Sequence, residues 1–184
     1  MDRAIQSNLE RQAVERCRTG DREEFHVIVN LHSAALFRTA YGITGDYALA
    51  EDAVQDAFVR AWKQFNTFRP DTNLRNWLTR ILVNRVIDLG RRKQLPAVEL
   101  AEISSHPSPA SGPEESLLSS DGRRRLDVAL STLSTEQRVV VVLRFYDQLS
   151  LREIALATGW REGTVKSRSS RAMATLRNTL GGAS

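Results

Sequence analysis

The sequence predicts an all-α protein made of two small helical domains joined by an extended linker. Apolar residues recur every three or four positions through most of the chain, which is the spacing of amphipathic helices. Residues 95–113 break this pattern and contain four of the five prolines, with serine, alanine and glycine between them. Such a composition is typical of a linker, so we expect helical domains over residues 1–94 and 114–184.

Composition limits the classes of protein to which the chain can belong. Its 184 residues suit one or two small domains, and no apolar run approaches the length of a bilayer span. The first residues contain no apolar stretch of the kind that secretory signals carry. Cys17 is the single cysteine, so no internal disulfide is possible. We therefore expect a cytoplasmic protein without membrane insertion.

The net charge of +4 is unevenly distributed along the chain. Two mildly basic domains flank an acidic connector, and this arrangement suggests that different parts of the chain meet different partners. The acidic block covers residues 95–120, which include the linker and the start of the C-terminal domain, and its acidic residues are Glu99, Glu102, Glu114 and Glu115.

Four helices are predicted in the N-terminal domain. A short amphipathic helix ends near Gly20, and a second helix begins with the pair Asp21 and Glu24 and stops at Gly45. Asp46 can cap a third helix that continues to about Phe65. Turn-forming residues 66–73 then lead to a fourth helix over about residues 74–92.

The third helix has an apolar face for the core and an exposed acidic half-turn. Glu51, Asp52, Gln55 and Asp56 lie on the exposed side. Acidic residues in the first turns of a helix complement its dipole, so this half-turn does not require a partner.

The fourth helix is basic and amphipathic, and it follows an irregular loop. Its arginines fit either a solvated face or a nucleic-acid surface, and the helix alone favours the solvated face.

Helical patterning resumes near Glu114, and Gly122 is a possible interruption. Ser134 and Gln137 form a capping box for a helix that extends to about Tyr146. Its run of four valines has the propensity of a strand, but the cap and the length of the segment favour a helix.

Residues 150–177 have the pattern of a helix-turn-helix. Ser150 and Glu153 form a capping box, Gly159 suits the turn, and the second helix begins at about Glu162. Its apolar face, which includes Val165, packs inward while its basic residues point outward, as in a helix that lies in the DNA major groove. An ordinary helical hairpin with a basic face is the alternative.

Enzyme chemistry has little support in the sequence. His26, His32 and His106 have no metal-ligand spacing with one another or with Cys17. Asp52 and Asp56 lie one helical turn apart, but no second acidic motif completes a two-metal site. We therefore expect no catalytic residue, metal or cofactor.

Both domains together resemble the extracytoplasmic-function (ECF) group of bacterial sigma factors, in the sigma-70 superfamily. The resemblance lies in TGDYALAEDAVQDAFVRAWKQFNTF at 44–68, NWLTRILVNRVIDLGRR at 76–92, and residues 133–177, which contain GTVKSR. These segments are similar to the family's regions 2 and 4, in the same order. The resemblance implies a non-enzymatic subunit that brings RNA polymerase to promoters, reads the −35 and −10 elements and opens the −10 region.

The resemblance assigns three surfaces. Core polymerase, through the clamp helices of its largest subunit, would bind Glu51, Asp52, Gln55 and Asp56, and the second-largest subunit is a further expected partner. The −10 element would be bound by Thr67, Phe68, Arg69, Asp71, Asn73, Arg80, Asn84, Arg85, Asp88, Arg91 and Arg92, with the loop framing an extruded base. The −35 element would be bound by Arg161, Thr164, Lys166, Ser167, Arg168, Ser170 and Arg171.

Further expectations accompany the resemblance. Trp77 is expected in the core, although a stacking contact with DNA is the alternative, and the acidic linker would thread through polymerase channels built for nucleic acid. Ser169 departs from the family, which usually has a large apolar residue there, and Met173 is expected to compensate. An anti-sigma factor is an expected partner, and a stand-alone helix-turn-helix repressor or activator is the alternative function.

Overall fold

The computed structural model describes residues 2–93 and 120–181, and it describes side chains over residues 5–89 and 125–181. Within these ranges all regular structure is helical. The helices are α1 (Asp2–Arg18), α2 (Phe25–Thr44), α3 (Tyr47–Lys63), α4 (Leu74–Lys93), α5 (Ser120–Ser131), α6 (Thr135–Val141), α7 (Leu151–Thr158) and α8 (Glu162–Gly181).

Helices α1–α4 form the N-terminal lobe, and their ends lie close to the predicted positions. Gly45 ends α2 in the left-handed conformation, and the side chain of Asp46 then caps α3 by accepting a hydrogen bond from the Leu49 N–H at 3.0 Å. The start of α2 differs from the prediction. Residues 22–24 form a separate 3₁₀ turn, and the Asp21 side chain makes no capping hydrogen bond.

Helices α5–α8 form the C-terminal lobe. Ser134 and Gln137 form the predicted capping box at the start of α6, and the valine run is helical as expected. The last part of this segment, Val142–Tyr146, widens into a π-helical turn. Gly122 lies inside α5 and does not interrupt it. The segment is helical despite its strand propensity because all four valines are buried between packed helices.

The helix-turn-helix is formed by α7 and α8. Ser150 and Glu153 make both hydrogen bonds of a capping box, and Gly159 ends α7 with a φ of 72°. Val165 is fully buried, and it joins the apolar cluster that also contains Ile154 of α7. The turn and the helix pair therefore confirm the prediction.

The two lobes share one apolar core. A single cluster of buried side chains extends from α1–α4 to α6, α7 and α8. A smaller cluster, built on Ala172 and Leu176, packs α8 against α5 and α6. Helix α4 lies between the lobes, since it packs on α2 and α3 on one side and on α6 and α7 on the other. Because α4 contacts helices on both sides, Val83 and Ile87 are buried as well as Leu78 and Leu82.

Some predictions concern residues that the structure does not describe. The linker over residues 95–113, its acidic residues and the helix start near Glu114 lie outside the described ranges, as do the side chains of Arg91 and Arg92. Within the described ranges, no helix is both long enough and apolar enough to cross a membrane.

Candidate nucleic-acid and polymerase interfaces

The acidic half-turn of α3 lies on the surface of the N-terminal lobe. Its residues Glu51, Asp52 and Gln55 are exposed, whereas Asp56 is half-buried. The opposite face of α3, which includes Ala50 and Ala57, is packed into the core. The half-turn is therefore presented outward by a rigid helix, and we call it the acidic face (Glu51, Asp52, Gln55, Asp56).

Asp56 connects the acidic face to α4. Its Oδ2 atom lies 2.6 Å from Nε of Arg85, whose side chain is largely buried. The sequence assigns these two residues to different surfaces, one for polymerase and one for DNA. The structure joins them in one ion pair, so the two predicted surfaces are in direct contact.

A basic pocket of about 760 Å³ opens where α3, the 66–73 loop and α4 meet. Four cationic side chains line it, and none of the lining residues is acidic, so its potential favours a phosphate or another anionic group. Asn84 and Gln64 offer amide groups that can both donate and accept hydrogen bonds. The lining residues are Arg60, Lys63, Gln64, Thr67, Arg69, Thr72, Trp77, Arg80, Ile81 and Asn84.

Four of the predicted −10 residues, Thr67, Arg69, Arg80 and Asn84, line this pocket. Asp71 and Asp88 are exposed but do not line it.

Two other predicted −10 residues have structural roles. Asn73 caps α4, because its Oδ1 accepts a hydrogen bond from the Asn76 N–H at 3.0 Å. Phe68 is buried, with its ring packed on Phe65 and Trp77, and it cannot present that ring to a base. The expectation for Phe68 is therefore corrected: it anchors the loop, because its apolar ring gains more from the core than from solvent.

The sequence analysis did not assign Arg60 or Lys63 to the −10 surface, yet both line the basic pocket. Arg60 and Lys63 stand three residues apart at the end of α3, immediately before the loop, and this position was the available signal. Trp77 is half-buried. It packs against Phe65 and Phe68, and it also reaches the pocket wall.

Helix α8 presents a basic surface away from the core. Lys166, Ser170 and Arg171 are exposed, and Arg161 is exposed just before the helix begins. Arg171 donates a hydrogen bond to the Ser167 hydroxyl at 3.3 Å, and Ser167 donates to the Thr164 carbonyl at 3.0 Å. This chain of contacts holds Arg171 along the exposed side of the helix.

Arg168 has a different environment from its basic neighbours. Its guanidinium carbon lies 3.9 Å from the centre of the Trp160 ring, and its Nη2 atom lies 3.8 Å from Oε1 of Glu136. These contacts tie α8 to the turn before it and to α6. The expected compensation by Met173 is wrong, since Met173 is exposed. Beside Ser169, the Arg168 stack and the buried Val165 hold the helix in place.

The structure contains no arrangement suited to a metal within its described ranges. No group of three or more histidine, cysteine, aspartate or glutamate side chains is placed there to hold an ion. His32 instead lies 2.9 Å from Glu10 between α2 and α1.

Comparison with protein families gives two matches along the chain. Residues 28–95 match the model of sigma-70 region 2, and residues 123–176 match that of sigma-70 region 4. The first match covers the acidic face and the basic pocket, and the second covers the helix-turn-helix.

Curated relatives cover nearly the whole chain. The ECF RNA polymerase sigma-E factor of Escherichia coli K12 is 32% identical over 178 residues, which are 91% of this chain and 92% of the relative. SigL of Mycobacterium tuberculosis H37Rv is 38% identical, covering 81% of this chain and 84% of SigL. SigW of Bacillus subtilis is 29% identical over 92% of this chain and 96% of SigW.

Solved structures with the same fold include two complexes. The sigma factor RpoE of Bartonella quintana, bound to the anti-sigma factor NepR, has a TM-score of 0.68 and 27% identity, covering 88% of this chain and 99% of RpoE. CnrH, bound to the cytosolic domain of CnrY, has a TM-score of 0.65 and 26% identity, covering 96% of this chain and 99% of CnrH.

Proposed function

The chain belongs to the ECF group of sigma-70 family RNA polymerase sigma factors, and on this basis we propose how its surfaces divide the work of transcription initiation. As a sigma factor it is a non-enzymatic subunit that directs polymerase to promoters. Nothing supports the alternative of a stand-alone repressor, because the region 2 match extends over the N-terminal lobe.

The proposed −10 surface is the basic pocket together with the exposed side of α4. An extruded base needs polar groups for its edge, an aromatic or apolar wall for its face, and cations for the flanking phosphates. The pocket offers Asn84 and Gln64 for the edge, Trp77 and Ile81 as wall, and Arg60, Lys63, Arg69 and Arg80 for phosphates. This combination is the observation that carries the proposal.

The proposed polymerase surface is the acidic face. Its exposed carboxylates are complementary to basic groups on the clamp helices of the largest polymerase subunit. Such complementarity mainly sets the orientation and the rate of association. Because Asp56 also holds Arg85, we expect polymerase binding to influence the position of that arginine.

The proposed −35 surface is the exposed side of α8. Lys166, Ser170 and Arg171 are the residues best placed to read base edges, and an arginine pairs well with O6 and N7 of guanine. Arg161 is placed for a phosphate contact. Arg168 is better explained as a residue that stabilises the position of α8, since its guanidinium group contacts the Trp160 ring and the Glu136 carboxylate.

The partners are core polymerase and promoter DNA, and both meet the chain in the cytoplasm. An anti-sigma factor is a further proposed partner. One of the solved relatives is bound to such a factor, and the fold matches over most of both chains.

The test is run-off transcription with purified core polymerase and candidate promoters. We expect the chain to bind core polymerase and to direct initiation from a subset of these promoters. Tight promoter binding without polymerase, together with failure to associate with core, would contradict the proposed function.

A further inference from the structure

A column of aromatic rings joins the start of α2 to the wall of the basic pocket. The centres of neighbouring rings lie between 5.2 and 6.0 Å apart, inside the range of about 4.5–7 Å over which aromatic side chains attract each other. Three of the rings are buried and the two tryptophans are half-buried. We call this set the aromatic column (Trp62, Phe25, Phe65, Phe68, Trp77).

Phe25 is the residue through which α2 joins the column. Its ring meets Trp62 at 5.2 Å and Phe65 at 5.7 Å, with angles of 67° and 85° between the ring planes. It also meets Phe58 at 6.5 Å and 84°. Such edge-to-face contacts place the positive edge of one ring against the negative face of another, so they favour an orientation as well as a distance. Phe25 therefore restricts the ring plane of Phe65.

Phe65 extends this constraint to both sides of the −10 loop. It lies immediately before the 66–73 loop, and its ring contacts Phe68 inside the loop at 5.9 Å. It also contacts Trp77, near the start of α4, at 6.0 Å, and the rings of Phe68 and Trp77 lie 5.3 Å apart. These three rings form a triangle beneath the loop, so the orientation of Phe65 affects the chain where it enters and where it leaves the loop.

The column ends at the proposed −10 surface. Trp77 lines the basic pocket, whereas Phe25 does not. Trp77 supplies the flat ring on which an extruded base can stack. Trp62 lies between Arg60 and Lys63 along α3, and both of these cations line the pocket as well. Phe25 thus contacts the structure behind the pocket without reaching the ligand.

The segment before α2 supports the column from its outer side. The guanidinium carbon of Arg22 lies 5.3 Å from the centre of the Trp62 ring, and α1 packs on the turn at residues 65–67. The region 2 match begins at residue 28. It therefore does not extend to Phe25 or to this segment.

We propose that Phe25 is a positioning residue for opening of the −10 element, because it holds Phe65 and Trp77 so that the pocket wall is in place before the DNA strand arrives. This inference rests on the proposed function, since it assumes that the basic pocket binds the extruded base. A wall that is already ordered avoids the cost of fixing a side chain on binding. Loss of the Phe25 ring should therefore weaken the −10 contact and leave core binding intact.

The first test compares Phe25→Leu, which keeps an apolar side chain without a ring, with Phe25→Tyr, which keeps the ring. The probe is a labelled single-stranded oligonucleotide with the −10 element of a promoter that the parent opens, bound by the sigma–polymerase complex. We expect Phe25→Leu to weaken this binding by about two- to tenfold, the range that one aromatic pair contributes. Phe25→Tyr should bind nearly as well as the parent, and both variants should bind core polymerase normally. Equal losses in the two variants would contradict a role for the ring.

Ile28→Ala is the matched control for a general loss of stability. Ile28 is fully buried in α2, three residues after Phe25, and is not part of the column. Truncation of a buried isoleucine should lower the melting temperature at least as much as Phe25→Leu does. Below that temperature it should leave oligonucleotide binding unchanged. If Ile28→Ala weakened the −10 contact as much as Phe25→Leu, the proposal would be wrong.

The second test follows the column directly by NMR. The chain has three tryptophans, and the indole N–H resonance of Trp77 is assigned with Trp77→Phe. We expect Phe25→Leu to shift this resonance, although Phe65 lies between the two residues, and Ile28→Ala to leave it in place. An unchanged resonance in Phe25→Leu would overturn the proposal, and so would a shift without any loss of −10 binding.

The NMR measurement also separates the two levels of inference, because it needs no polymerase. If the parent protein failed to bind core polymerase, the proposed function would be wrong. The Trp77 resonance would still show whether Phe25 positions that ring.

Discussion

Single residues set the ends of the helices, and several do so through side-chain hydrogen bonds that are visible as sequence motifs. Asp46, Asn73, Ser134 and Ser150 each accept a hydrogen bond from a backbone N–H in the first turn of the following helix. Asp21 shows the limit of this reasoning, because it has a similar motif and makes no such bond. A capping motif supplies a side-chain oxygen that can accept a hydrogen bond, but the backbone conformation around it determines whether the hydrogen bond forms.

The capping box of α7 gives a prediction about stability. The backbone N–H and the hydroxyl of Ser150 hold the pKa of the Glu153 carboxyl below its usual range. Ser150→Ala should cost about 1 kcal/mol in the free energy of unfolding, measured by urea titration, and should raise the pKa of Glu153, measured by NMR.

The contribution of Glu153 to the free energy of unfolding depends on pH, and the sign of this dependence is defined. A depressed pKa in the folded state means that the contribution of Glu153 is present above its ordinary pKa and is lost as pH falls through the lowered value. Ser150→Thr keeps the hydroxyl and serves as the control. An unchanged pKa of Glu153 in Ser150→Ala would contradict the role of the hydroxyl.

Two arginines of α8 should behave differently although they are three residues apart. Arg171→Ala removes an exposed side chain that we propose reads base edges, so the preference for the correct −35 sequence should fall by about 1–3 kcal/mol while core binding is kept. Competition between matched and mismatched promoters measures this preference. If Arg171→Ala instead lost core binding, the assignment of the two surfaces would be wrong.

Arg168→Ala is the comparison variant. It removes a stack on Trp160, worth about 0.5–2 kcal/mol, and therefore should lower thermal stability and weaken binding to all −35 sequences alike. A selective loss at one base pair would show that Arg168 reads DNA directly.

At the scale of elements, the basic pocket depends on where three segments meet. The end of α3, the 66–73 loop and the middle of α4 each contribute cations. Phe65, Phe68 and Trp77 pack together beneath the loop and fix its path. The loop is thus held by its aromatic anchors, and its polar residues remain at the surface.

Because Arg80 lines the basic pocket, we expect Arg80→Ala to impair DNA opening without a large loss of stability. Arg80 is exposed, so stability should change by less than about 0.5 kcal/mol. Opening of the −10 region should weaken, and the salt dependence of binding should decrease by about one phosphate contact. A fluorescent base analogue in the −10 element measures opening. Arg11→Ala in α1, also exposed but remote from the pocket lining, should have no effect on opening.

At the scale of the whole molecule, the packing of the two lobes on each other should depend on pH through Asp147. Burial raises the pKa of this carboxyl, and the hydrogen bonds from Thr39 and Arg75 offset only part of the rise. Arg75 of α4 and Arg38 of α2 are charged groups on the helices that face the Asp147 region. A raised pKa in the packed form means that packing of the lobes takes up a proton.

The contact between the lobes should therefore be strongest below the ordinary pKa of aspartate and should weaken as pH rises through the raised value. Energy transfer between fluorophores on the two lobes measures the fraction of molecules in which the lobes are in contact. Asp147→Asn is the control and should remove this pH dependence, because the amide does not titrate. A pH profile that is the same in both proteins would contradict the assignment to Asp147.

The helices, the helix-turn-helix and the family of this protein can be predicted from local sequence. Helix periodicity, capping motifs and the glycines at positions 45 and 159 determine the helices and the helix-turn-helix, because these features depend on neighbouring residues along the chain. The order of the region 2 and region 4 motifs determines the family. The valine run also belonged to a helix, as its cap indicated.

Only the tertiary structure decided which surfaces face each other. The burial of Phe68, the Asp56–Arg85 ion pair and the close approach of Gly42 to Val142 join residues that are distant in sequence or lie on different helices. No local pattern specifies such contacts, because they depend on how closely two helices approach in space. Val142, at the end of the valine run, lies opposite Gly42, which is 100 positions away in the sequence, and forms part of the contact between the two lobes.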